Sequence, residues 1–133
     1  VSLLRASVRM VADHPVLGTG LNTFATIYPR YRRPGDADPV APFAHNIFLN
    51  MAVEGGVVGA LAFAAVIVLA VASGWRWHAS TRTPPGMLLS ATILAAFVGA
   101  MTHQLVDGTF LSVHLGAGLW LLAAALAAHA SQP

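Results

Sequence analysis

From Ile47 to Ala72, 26 residues in a row, only Asn50 and Glu54 interrupt an apolar run. A helix rises about 1.5 Å per residue, so about 20 apolar residues cross the ~30 Å hydrocarbon core of a bilayer. A run of this length dictates a membrane helix, with its two polar residues in the first two turns. The rest of the chain agrees. Only 9% of the 133 residues are charged, against about 25% in an ordinary soluble domain. Further apolar runs follow at 87–106 and 110–128, the last two separated by Asp107-Gly108-Thr109, a tight reversal. The predicted fold class is therefore all-α integral membrane, with three transmembrane helices over about 47–73, 87–106 and 110–128 (a transmembrane region of 47–130). Gly74 to Gly86 reads as a short connector with Trp75 and Trp77 at interface level.

The first 46 residues are different: polar, Arg-bearing and punctuated by proline and glycine. Leu3, Leu4, Val8 and Val11 recur at helical spacing with Arg5 and Arg9 at i,i+4, predicting an amphipathic helix over 1–13. His14-Pro15 ends it, because the residue before proline is pushed out of the α region. Gly18-Thr19-Gly20 reads as a flexible turn, and residues 34–42 (PGDADPVAP) as a loop. With no initiator Met and no signal-peptide pattern, residues 1–46 read as the end of an extramembrane loop. The chain is then expected to be the C-terminal part of a larger polytopic protein, with upstream helices of that protein as partners.

At the border stands His45-Asn46, followed after nine residues by Gly56-Val57-Val58-Gly59. A titratable ring next to hydrocarbon costs free energy unless it has a partner or a task. On one continuous helix Ala52, Gly56, Gly59 and Phe63 fall within about 40° of His45. This predicts a small-residue strip for close packing against another membrane helix, with Asn46, Asn50 and Glu54 forming a polar strip beside it.

Composition excludes several classes of chemistry. Zero cysteines remove disulfides, thiolate catalysis and Cys-based metal sites. The six histidines form neither H-x-x-x-H nor H-x-x-E-H, so no metal and no cofactor is expected. Five of the seven arginines lie in the first 33 positions, and no nucleic-acid motif accompanies them. Gly18 and Gly20 are not followed by Lys-Ser/Thr, so they read as backbone devices and not as a phosphate loop. Charge counting leaves the membrane orientation tied. Arg76 and Arg82 argue for a cytoplasmic connector, while Arg30, Arg32 and Arg33 crowd the other side of the first span.

These motifs resemble those of the O-antigen ligase and Wzy-type polymerase superfamily. Residues Met10 to Phe24 are similar to the family's D-H-P-x-x-G-x-G-x-x-x-F segment. His45-Asn46-x9-Gly56-x2-Gly59 is similar to its loop-to-membrane signature, and His103-Gln104-Leu105-Val106-Asp107 is a weaker third match. The resemblance implies an inner-membrane, multi-pass, metal-independent glycosyltransferase of the GT-C type. Such an enzyme moves a saccharide from an undecaprenyl diphosphate carrier to an acceptor hydroxyl, on a lipid A-core sugar or on a second glycan. It places residues 1–46 in the periplasm, Gly74–Gly86 in the cytoplasm and Asp107 in the periplasm. The family's essential arginine belongs upstream of the loop, in a part that this sequence does not cover, and is not carried over.

For that chemistry His45 is the candidate general base. Imidazole titrates near 6.5 in water, and cationic surroundings favour the neutral ring that a base requires. The alternative is a histidine that anchors the loop by hydrogen bonds. Arg30, Arg32 and Arg33 are candidates for the diphosphate, since guanidinium forks match phosphate oxygens bidentately. The alternative is a basic loop on anionic headgroups of membrane lipid. Asn46 either orients the ring or a sugar hydroxyl, or N-caps the helix. Tyr31, with Tyr28, offers a stacking face for a sugar, against the commoner role of an interface tyrosine. Glu54 reads as structural, paired with Asn50 or with a cation from an absent helix. His103 and Asp107 read as a brace at the membrane edge, while His78 and His129 are expected to face solvent. A transporter or channel subunit using Glu54, His103 and Asp107 is the competing class, and an inactive remnant is the third.

Overall fold

The computed structural model describes residues 2–36, 40–106 and 113–130, and among these every regular element is helical. Helix α1 is Ser2–Asp13, α2 is Phe24–Ile27, and a 3-10 turn, Tyr28–Arg30, follows α2 directly. Helix α3 is Ile47–Ser80, α4 is Pro84–His103 and α5 is Val113–Ala130. The chain forms two compact units, one of Val1–Ala64 with Leu105–Gly108, the other of Ala65–Gln104 with Thr109–Pro133.

In the first unit α1 forms where the spacing predicts a helix, but the face it buries is turned away from the predicted one of Leu3, Leu4, Val8 and Val11. Leu3, Ala6 and Met10 are buried while Leu4, Arg5, Val8 and Arg9 stay outside. Its inner face joins Phe24, Tyr28, Ala41, Ala44 and Val53 in one core, so the loop is packed against the beginning of α3. The helix ends at Asp13, immediately before His14-Pro15.

Helix α3 is not one rod. Gly56 has φ 62°, ψ −163°, which breaks the helical ladder. In a straight helix Phe48 and Phe63 would stand about 22 Å apart; here their rings meet edge to face with centroids 5.6 Å apart. A β-carbon on Gly59 would lie 3.5 Å from the carbonyl oxygen of Met51. Residues 47–55 and 57–63 therefore fold back on each other as two arms of a helical hairpin with its apex at Gly55-Gly56. This overturns the expected strip of Ala52, Gly56, Gly59 and Phe63 beneath His45. The wheel assumed an unbroken helix starting at His45, whereas helix begins at Ile47 and reverses at Gly56. The small residues serve the chain's own hairpin.

In the second unit Ala70, Trp77, Phe97, Met101, Leu119 and Leu126 form the core. Gly74 makes room for it, since a β-carbon there would sit 2.7 Å from Leu126 Cδ2 and 2.9 Å from Leu94 Cδ1. The expected connector of residues 74–86 is mostly helix. Helix α3 runs on to Ser80 and α4 starts at Pro84, after Thr83 in extended conformation as a pre-proline residue prefers. Trp77 is buried, and His129 stacks on it with ring centroids 4.3 Å apart. His78 is half-buried with Nδ1 3.0 Å from Ser90 Oγ. His129 is exposed as expected, with one ring face on Trp77, whereas His78 is drawn in toward Ser90. By length and composition α3 and α4 qualify to cross a membrane, although only residues 57–80 of α3 run on unbroken after Gly56, and α5 has a shorter apolar stretch, Gly116–His129. The start of the third expected span and Asp107, the proposed partner of His103, lie outside the described residues.

Candidate functional site: a loop seated in a broken helix

Breaking a helix frees backbone groups that must find other partners, at a cost comparable to a lost hydrogen bond each if they are buried. In a continuous α3 the amides of Val57 and Val58 would donate to the carbonyls of Val53 and Glu54. With the chain reversed at Gly56 these four groups all bond instead to the segment after α1. Thr19 N–H donates to Val53 O at 2.8 Å and Gly20 N–H to Glu54 O at 3.0 Å. In return Val57 N–H donates to Pro15 O at 2.8 Å and Val58 N–H to Val16 O at 3.4 Å. The loop replaces the ladder group for group. Gly18-Thr19-Gly20 is thus pinned, not the flexible turn that its composition predicts.

Glu54 adds a second clasp. Its carboxylate is buried and takes two backbone amides, Asn22 N–H on Oε2 and Phe24 N–H on Oε1, both at 3.0 Å. Neither Asn50 nor a cation is among these partners; the structural role expected for Glu54 is met by the loop backbone. Phe24 opens α2. Thr23, in the N-cap position, makes no side-chain cap bond and donates its hydroxyl to Gly20 O at 2.6 Å. Glu54 therefore caps α2 from a distant part of the chain.

Beyond this clasp the loop carries the arginines. Phe24 and Tyr28 are fully buried and stacked, with ring centroids 5.7 Å apart. That removes Tyr28 as a stacking face for a sugar. Arg30 ends the 3-10 turn with its side chain exposed, and Arg32 and Arg33 are exposed just after it. The Arg33 amide donates to Asp36 Oδ2 at 2.8 Å. Tyr31 is half-buried, and its hydroxyl donates to Asp13 Oδ2 at 2.8 Å. The hydrogen bond to that carboxylate, with some burial and the negative charge of Asp13, raises the Tyr31 phenol above the usual tyrosine range, partly offset by Arg30. Through this bond Tyr31, a candidate for substrate stacking, also ties the end of α1 to the arginine segment.

His45 is exposed and sits at φ 53°, in the left-handed region that few non-glycine residues occupy. Its ring lies against Phe43, with centroids 4.9 Å apart. Fixed contacts hold both sides of it. Ala44 N–H donates to Oδ1 of the buried Asn50 at 3.1 Å. Asn46 accepts Leu49 N–H on Oδ1 at 2.9 Å and donates from Nδ2 to Leu105 O at 2.8 Å. Asn46 N-caps α3, as one of its two readings has it, and the other end of its amide is engaged too. Leu105 belongs to the same compact unit as Asn46, so this bond is internal to that unit.

Among the described residues no three His, Cys, Asp or Glu side chains converge as a metal site would require. The contacts that sequence reasoning missed are backbone ones: Glu54 and Asn50 as acceptors for loop amides, and Gly56 as the point where the span reverses. Their only trace in the sequence is two polar residues and a Gly-Gly pair inside an apolar run.

Comparison with known proteins gives one result. Residues 1–64 match the family model of O-antigen ligase. That segment takes in α1, the seated loop, the arginines, His45 and both arms of the hairpin. No curated protein and no solved structure shows a match.

Proposed function

The chain belongs to the O-antigen ligase family through its residues 1–64, and from that premise we propose that it takes part in glycosyl transfer at a membrane surface. The donor is a saccharide on undecaprenyl diphosphate. The acceptor is a hydroxyl of a lipid A-core sugar or of a second glycan, and residues 1–46 face the periplasm of the inner membrane. His45 acts as general base. Its ring takes the proton of the acceptor hydroxyl as that oxygen bonds to the anomeric carbon. The bond from that carbon to the diphosphate oxygen breaks, and undecaprenyl diphosphate leaves with the electron pair. Arg30, Arg32 and Arg33 offset the charge that accumulates on the leaving group.

The observation that carries this reading is the setting of His45. An exposed imidazole stands on a left-handed turn, braced by Asn50 before it and by the Asn46 cap after it. It shares one compact unit with three exposed arginines. The competing reading, an ion path through Glu54, is disfavoured by a carboxylate already engaged with two backbone amides.

The test is glycan transfer by the full-length protein. His45→Ala should lower it by about 10²–10⁴-fold, the usual contribution of a general base, with normal membrane insertion. Transfer at near wild-type rate would remove His45 from the chemistry.

A further inference from the structure

Glu54 is the only acidic residue between Asp38 and Asp107, and it is buried with its carboxylate turned toward a loop and not toward a cation. A buried carboxylate is costly unless its lone pairs are used, and here both oxygens accept backbone amides. One of those amides belongs to Phe24, the first residue of α2. From Phe24 the path to the arginines is short and rigid. Helix α2 passes without a break into the 3-10 turn Tyr28–Arg30, and the Phe24–Tyr28 stack anchors both in the core. Thr23 does not supply the cap, so the bond from Glu54 fixes where this seven-residue helical segment, Phe24 to Arg30, begins.

We propose that Glu54 is a positioning residue for Arg30: by capping α2 from the apex of the hairpin, it sets the direction in which Arg30 meets a lipid-linked diphosphate. This inference rests on the proposed function for the identity of the ligand. It separates Arg30 from its neighbours, because Arg33 lies past the helical segment with its backbone held by Asp36. Glu54→Gln keeps one acceptor oxygen and turns an NH2 group toward the other amide. It therefore loses one of the two clasps without removing bulk.

The experiment measures binding of undecaprenyl diphosphate to the full-length protein in vesicles, together with amide hydrogen exchange at Asn22 and Phe24. Glu54→Gln should speed exchange at one or both amides and weaken binding by about tenfold, the loss expected for one hydrogen bond to a charged group. In an Arg30→Gln background the same change should weaken binding less than about twofold, because residues acting through one another are not additive. In an Arg33→Gln background it should keep its full effect. Unchanged exchange, unchanged binding or full additivity with Arg30→Gln would each overturn the proposal. A merely structural role for Glu54 predicts that additivity. Replacing Arg30, Arg32 and Arg33 together by Gln tests the underlying reading separately. If that variant binds like the wild type, the diphosphate assignment fails; if it binds weakly while Glu54→Gln binds normally, only the positioning role fails.

Discussion

Gly18 and Gly56 each occupy the space that a β-carbon on the other would need. A β-carbon on Gly18 would lie 2.5 Å from the amide nitrogen of Gly56, and one on Gly56 would lie 2.6 Å from the amide nitrogen of Gly18. Both residues have positive φ, 69° and 62°. Backbone meets backbone here, so no side chain can rotate out of the way.

This pairing makes the two glycines interdependent. Gly18→Ala or Gly56→Ala should each destabilise the first unit by more than about 3 kcal/mol, combining a steric clash with an unfavourable φ. The double variant should cost clearly less than the sum, because a loop unseated by one change has nothing further to lose. Trypsin cleavage after Arg30, Arg32 and Arg33 in detergent-solubilised protein provides the measurement. Cleavage should be fast in both single variants and no faster in the double.

Removing the Glu54 carboxylate altogether should be worse than neutralising it. Glu54→Ala leaves the Asn22 and Phe24 amides without an acceptor, and Phe24 is fully buried. A buried donor left unpaired costs about 1–3 kcal/mol. The thermal midpoint of the purified protein should fall further for Glu54→Ala than for Glu54→Gln.

Asn46 separates two contacts that one substitution can distinguish. Asn46→Ala loses the cap, worth about 1 kcal/mol, as well as the bond to Leu105. Asn46→Asp keeps an acceptor for the Leu49 amide and loses only the Nδ2 donor. Amide exchange at Leu49 should rise in the alanine variant and stay slow in the aspartate variant.

The Tyr31–Asp13 contact has a definite pH dependence. A raised phenol means that the folded state holds the proton more tightly than the unfolded state does. The contact therefore contributes fully below about pH 10, the ordinary tyrosine value, and is lost as pH rises through the raised one. Carbon NMR of the Tyr31 ring, assigned with Tyr31→Phe, should show ionisation above pH 10. Asp13→Asn should bring it down, because it removes the carboxylate charge and the charged acceptor.

Exchanging Arg30, Arg32 and Arg33 together for Gln should weaken donor binding and reduce its dependence on ionic strength, since guanidinium–phosphate contacts are screened by salt. All three side chains are exposed, so folding should be unaffected. A binding curve with the wild-type salt dependence would assign the arginines to some other surface.

Side-chain patterns made much of this legible. The i,i+4 spacing gave α1, His14-Pro15 its end, and Gly18 and Gly20 their backbone role. The loop-to-membrane border fell at His45-Asn46, next to the observed start of α3 at Ile47. What stayed hidden was the hairpin. Hydropathy sums side chains, and residues 47–72 look the same to it whether the chain runs straight or reverses at Gly56. The reversal is decided by hydrogen bonds to residues 15–20, more than thirty positions upstream. Glu54 and Asn50 were visible as oddities in an apolar run, but backbone amides as their partners leave no mark in the composition of the loop. Tyr28 and Tyr31 share a residue type and differ in fate, one stacked in the core and the other on Asp13. Periodicity across so short a helical segment cannot tell them apart.

The exchanged ladder at Gly56 also imposes an order on biosynthesis. Residues 15–20 leave the ribosome well before the carbonyls and amides of residues 53–58 that they satisfy. Until Val58 has been made, the nascent loop has no seat. Once it has, the apex must meet the loop on the same side of the bilayer for the four bonds to close. A chain threaded with the loop stranded on the opposite face would carry an open helix break that nothing nearby repairs, and quality-control proteases would meet it there.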